Sequence, residues 1–114
     1  MADNAKRLAG PTQPGTGATD IYTVPAATAG VIRNIHIANT TDSDAWLSLS
    51  IGASGVDSAA SRFFDKVSVP GQGANSHGII DWSGFLVLAA GEVLVAKQGT
   101  SGALTITVSG VEVT

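Results

Sequence analysis

The chain has 114 residues, 44% hydrophobic and 13% charged, with a net charge of −3 and no cysteine. That length suits one domain around a single core, and the ordinary hydrophobicity argues against global disorder. The lack of cysteine excludes disulfides, thiolate metal sites and cysteine nucleophiles, and the six basic residues are too scattered, with only Lys6 and Arg7 adjacent, to form the basic stripe a nucleic-acid partner requires.

Residues 1–18 (MADNAKRLAGPTQPGTGA) are rich in glycine and proline and poor in large apolar side chains. They gain too little burial to offset their ordering entropy, which predicts an extended N-terminal arm set apart from a body of residues 19–114. Deleting the arm is expected to leave that body folded. Met1 to Gly10 lacks the continuous apolar stretch of a secretory signal. The longest apolar run, Phe85–Ala90, falls far short of the roughly 20 residues of a membrane span. Neither a leader nor a membrane partner is expected.

The body reads as consecutive strands. Asp20–Val24 is halted by Pro25. In Gly30–Asn39, Val31, Ile35 and Ile37 take one face and Asn34, His36 and Ala38 the other, the period-two pattern of a half-buried strand. A polar turn over Asn39–Asp44 leads into Ala45–Ile51, where Ala45, Leu47, Leu49 and Ile51 oppose Trp46, Ser48 and Ser50. After a mobile small-residue loop from Gly52 to Ser61, Arg62–Val69 forms a strand stopped by Pro70-Gly71. Strands are predicted at Gly78–Trp82, at Phe85–Leu88, at Val93–Gln98 after the Ala89–Glu92 turn, and at Ala103–Val113. In the last, Leu104, Ile106 and Val108 share a face, and the apolar phase slips to Val111 and Val113 after Ser109-Gly110, which predicts a β-bulge in that strand. No stretch carries a helical period. The fold class is therefore all-β, a two-sheet jelly-roll-like β-sandwich of about eight strands with an extended N-terminal arm; strand order stays open.

Catalytic chemistry finds little support. His36 and His77 with Asp81 or Asp44 could supply a His₂-carboxylate metal site, but neither histidine has a ligand spacing; His36 is expected on an outer strand face and His77 in a loop. Gly52-Ala53-Ser54-Gly55 is not a G-x-S-x-G elbow. Glu92 and Glu112, the two glutamates, sit in a turn and near the C-terminus rather than as a facing pair. No glycine pattern matches a dinucleotide or phosphate loop. No catalytic residue, metal ligand or cofactor is assigned.

Surface contact is the better-supported use of the chain. Trp46 stands among serines on the polar side of its strand, a candidate partner contact, although a second buried face or cover by the arm would serve it equally. Trp82 and Phe85 could anchor an interface, although plugging the core is the commoner use of such a pair. With the arm residues Lys6, Arg7, Leu8, Pro11 and Pro14, these form the candidate interface. Exposed aromatics also stack on sugars, which keeps a carbohydrate-binding module as an alternative.

The run Ile21-Tyr22-Thr23-Val24-Pro25-Ala26, continuing as Val31–Thr40 (VIRNIHIANT), resembles the opening of small virion proteins of tailed bacteriophages. Leu49-Ser50-Ile51-Gly52 and Arg62-Phe63-Phe64-Asp65 are similar to their middle, Gly84–Leu94 and Leu104–Val113 to their end. Each motif is mostly strand-and-turn grammar; their order, over about Lys6 to Thr114, carries the resemblance. It implies a multicopy β-rich component of the virion, assembled in the host cytoplasm, non-enzymatic and without cofactor. Two placements fit: a capsid decoration protein binding neighbouring capsid subunits through its arm and apolar surface, or a tail, collar or spike component. The implied partners are phage capsid or tail proteins and further copies of the chain, as in a trimer. The rival readings are the carbohydrate-binding module, contacting the host surface, and a cupin-like or hydrolytic enzyme.

Overall fold

A computed structural model describes residues 3–57, 59–73 and 76–114. Its strands are β1 (Asp3–Thr12), β2 (Thr19–Thr23), β3 (Ala29–Asn39), β4 (Ala45–Gly52), β5 (Arg62–Val69), β6 (Gln72–Gly73), β7 (Ser76–His77), β8 (Ile79–Leu88), β9 (Val93–Gln98) and β10 (Leu104–Val113). Among the described residues the helical content is one 3₁₀ turn, Ala59–Ser61, and no helix is long and apolar enough to cross a membrane. Eight strands form two antiparallel four-stranded sheets, ordered β1-β10-β3-β8 and β2-β9-β4-β5; β6 and β7, of two residues each, make a separate two-stranded sheet. The pairs β1/β10, β2/β9, β3/β8 and β4/β5 are nested along the sequence and alternate between the sheets.

The all-β expectation holds. The strands predicted at Arg62–Val69 and Val93–Gln98 have those bounds, whereas the two predicted at Gly78–Trp82 and Phe85–Leu88 are one unbroken strand, β8. Ile32, Ile35, Ile37, Leu104, Ile106 and Val108 from one sheet meet Leu47, Leu49, Leu94, Ala96 and Val69 from the other, all fully buried. The molecule is only 19 Å through its thinnest axis. That is room for two sheets about 10 Å apart with one layer of side chains between them.

Three expectations are corrected. First, the segment read as a separate arm contributes β1, which runs antiparallel to β10 from Asp3 opposite Val113 to Thr12 opposite Ile106. The backbone hydrogen bonds of an edge strand do not require a strongly apolar sequence, and Leu8 and Ala9 suffice to pack against the core. Second, β10 has no phase slip. Its burial alternates without a break from Leu104 to Val113, so Glu112 points inward while Val111 and Val113 point outward. The extra residue is Arg33 in β3: Val108 lies opposite Ile35 and Gly110 opposite Ile32, so β3 takes an additional step there. A Cβ on Gly110 would lie 1.9 Å from the Val31 carbonyl oxygen, so the close approach at this bulge demands glycine. Third, the same bulge turns Ile32 into the core and moves Val31 to the outer face.

In the Gly52–Ser61 loop, read as mobile, Ser54, Gly55 and Asp57 are anchored to the body. Asp20 accepts the Gly55 N–H at 2.8 Å and the Ser54 hydroxyl. Asp57 accepts Ser50 Oγ at 2.9 Å and a two-pronged contact from Arg62 at 3.1 Å, with Lys97 Nζ at 3.5 Å. The guanidinium above all, with Ser50 and Lys97, holds the Asp57 carboxyl down to about 2.

Candidate interaction face

The outer faces of the two sheets differ in chemistry. On β4 and β9, Ser48, Ser50, Val93 and Val95 point outward yet are buried; the Asp57 clamp draws the loop onto Ser50 and Lys97 there. Ser48 Oγ accepts the N–H of Lys66 at 2.9 Å, at a bulge where Lys66 takes φ +51°. This side is closed by the chain's own atoms.

The outer face of the other sheet is open and apolar at one end. The register sets Ala5, Val111, Val31 and Val87 in one row across all four strands, with Val113 beside Ala29 in the next. Val31, flanked by its neighbours, is buried, while Val87 is 53% and Phe85 69% exposed. Arg33, the bulge residue, lays its guanidinium 5.6 Å over the Phe85 ring and donates from Nε to the Gly84 carbonyl at 2.9 Å. Asn34 Nδ2 donates to the Trp82 carbonyl at 3.2 Å. Farther along, His36 Nδ1 lies 2.6 Å from Asp81 Oδ1, and Ile79, 47% exposed, stands beside Ala38. The face carries few charges and a contiguous apolar strip, the composition of a contact surface rather than of a solvated one.

The predicted interface residues do not converge. Lys6 reaches inward, its Nζ 2.7 Å from Glu112 Oε1, and Tyr22 donates its hydroxyl to Glu112 Oε2 at 2.6 Å. Lys6 and Tyr22 hold the Glu112 carboxyl below its usual value, and burial, then Glu112, pushes the Tyr22 phenol up. Arg7 is exposed. Leu8 packs on the core. Pro11 is exposed and follows a cis peptide bond, and Pro14 is buried, its carbonyl accepting Gln98 Nε2. Trp46 is half-buried between Lys66, 5.4 Å from its ring, and Gly99. Trp82 turns inward to meet Phe63 edge-on at 5.1 Å. Phe85 alone of the eight lies in the open strip.

Of the residues weighed for metal or catalysis, His36 and Asp81 are neighbours across β3 and β8. Asp44 accepts the Gly71 N–H at 3.1 Å and Glu92 caps its own turn at Ala89 N, 2.7 Å. The His77 side chain lies outside the described residues; its backbone is in β7 rather than in a loop. Val31, Val87, Val111 and Glu112 were missed as surface or buried polar positions. A strict period of two carried through Gly110 would have found the last two. No protein-family model and no curated protein matches the chain.

Proposed function

We propose that the chain is a structural component of a tailed-bacteriophage virion, a capsid decoration protein that docks on neighbouring capsid subunits and on copies of itself. The observation that carries this reading is the open apolar strip of Phe85, Val87, Val111 and Val113 around the buried Val31. The nested order of the eight strands supports a jelly-roll reading of the sandwich, an architecture suited to viral shells. The ordered resemblance along the chain supplies the particle. Docking belongs to the strip rather than to the N-terminal segment, because β1 is already paired with β10. Each copy need bind only weakly, since a repeated lattice adds many such contacts. A tail, collar or spike position would use the same strip at another address.

The test is loading onto particles produced from a genome lacking this gene. Val111→Lys with Val113→Lys places two charges on the strip while leaving the core face of β10 intact. The double variant is expected to load at least about tenfold less than wild type, the cost of desolvating charge in an apolar contact. Thr23→Lys, exposed on the other sheet, should load normally. Wild-type loading by the double variant discards this reading.

A further inference from the structure

Strand β8 is the last strand of its sheet and pairs, among the described strands, with β3 alone. It runs ten residues; exposed and half-buried side chains alternate from Ile79 to Val87, and the register against β3 shifts between Ser83 and Leu86, opposite Arg33. The carbonyls of Trp82 and Gly84 turn toward β3, where they accept Asn34 and Arg33. Peptide direction alternates along a strand, so the groups of Asp81, Ser83 and Phe85 face the open edge. A long edge of this kind is a template for another strand on either side of that shift, and natural edges usually carry a charge that forbids it. Here that charge is Asp81.

We infer that β8 pairs antiparallel with β8 of a second copy about a two-fold axis at Ser83, joining two four-stranded sheets into one of eight strands. This deepens the self-association in the reading above and makes it two-fold. The order of residues is self-complementary about that point. On the outer face Ile79 meets Val87 of the second copy, Asp81 meets Phe85, and Ser83 meets itself. On the inner face Ile80 meets Leu86, and Trp82 comes opposite Gly84, against which each copy's own indole already lies. Asp81, which His36 already holds within its own sheet at 2.6 Å, therefore arrives beside the ring on which the second copy's Arg33 lies and gains a cross-dimer cation. Moving the axis to Gly84 would set Asp81 against Val87, and moving it to Trp82 would set the two indoles against each other. An isologous contact of this kind closes on itself and hides both edges.

Analytical ultracentrifugation and cross-linking of the full chain test the pairing. Opposite residues in an antiparallel pair have Cα atoms about 4.5–5.5 Å apart, within disulfide reach. Ser83→Cys, in a chain with no other cysteine, is expected to form a covalent dimer under mild oxidation. Asp81→Arg and Arg33→Asp should each weaken the dimer about tenfold or more through like charges. Mixing the two variants should restore it, because both cross-dimer contacts then pair Arg with Asp. The pairing is overturned by a wild-type chain that stays monomeric at about 100 μM, well above a micromolar dissociation constant. It is equally overturned by a dimer whose Ser83→Cys variant does not cross-link, or by charge variants that fail to combine. Lost particle loading with the dimer intact speaks against the virion reading, not against this pairing.

Discussion

Glu112 places a carboxylate on the core face at one end of the sandwich, where an unpaired charge would cost several kcal/mol. Lys6 and Tyr22 each take one of its oxygens, and no buried side-chain polar atom among the described residues lacks a partner. Neither partner is visible from the local pattern, since Lys6 lies 106 positions away in β1. Asp57 is the stronger titrating group. Its carboxyl falls from the ordinary 3.8 to about 2 in the fold. A depressed folded value means that the clamp stabilises fully above about pH 4 and is lost as pH falls through about 2. Thermal unfolding across about pH 5 to pH 2 should therefore show a steep loss for wild type. Asp57→Asn should start lower at neutral pH and decline less in that window. Parallel curves would remove the clamp from the acid response.

The elements legible in the sequence were those whose faces differ sharply. Leu47 and Leu49 against Ser48 and Ser50 leave β4 no choice of face, and Pro70 marks the end of β5. What escaped was set by long-range pairing. β1 has few apolar residues because one side of an edge strand faces solvent and its stability comes from the β10 ladder. The apolar end of β10 misleads because its outward valines belong to the open strip, while the core position next to them holds a paired acid. Of the site, Phe85 was legible only as one of two uses of its pair with Trp82, interface anchor or the commoner core plug, and the valine row was not legible, since the row exists only after register joins four strands. The role of β1 changes the outcome expected on truncation. Removing residues 1–12 uncovers the β10 edge, withdraws Leu8 from the core and leaves Glu112 without Lys6. A loss of about 3 kcal/mol or more in denaturant unfolding is expected from those terms together. A truncated chain with wild-type stability would return this segment to the status of a free arm.

At the scale of the molecule, the two sheets divide the work: one outer face is sealed by a clamped loop, the other leaves an apolar strip uncovered. Pairing through β8 would set the second copy's Ile79 beside Val87 and its Asp81 beside Phe85, and would leave the Val111 and Val113 end of the strip for docking. The strip's composition also fixes how attachment should respond to solvent. Arg33 is the charge beside its open end, and the chain as a whole carries only 13% charged residues. Coulombic docking weakens as the screening length shrinks from about 10 Å at 0.1 M salt, whereas apolar docking strengthens with excluded salts such as sulfate and lowers the heat capacity. Loading onto particles should thus change less than about twofold between roughly 0.05 and 0.5 M sodium chloride, rise in sulfate, and show a negative heat-capacity change by calorimetry. A tenfold loss over the same chloride range would assign attachment to Arg7, Arg33 and Asp81 instead of the valines, because an uncharged contact has no screened term to lose.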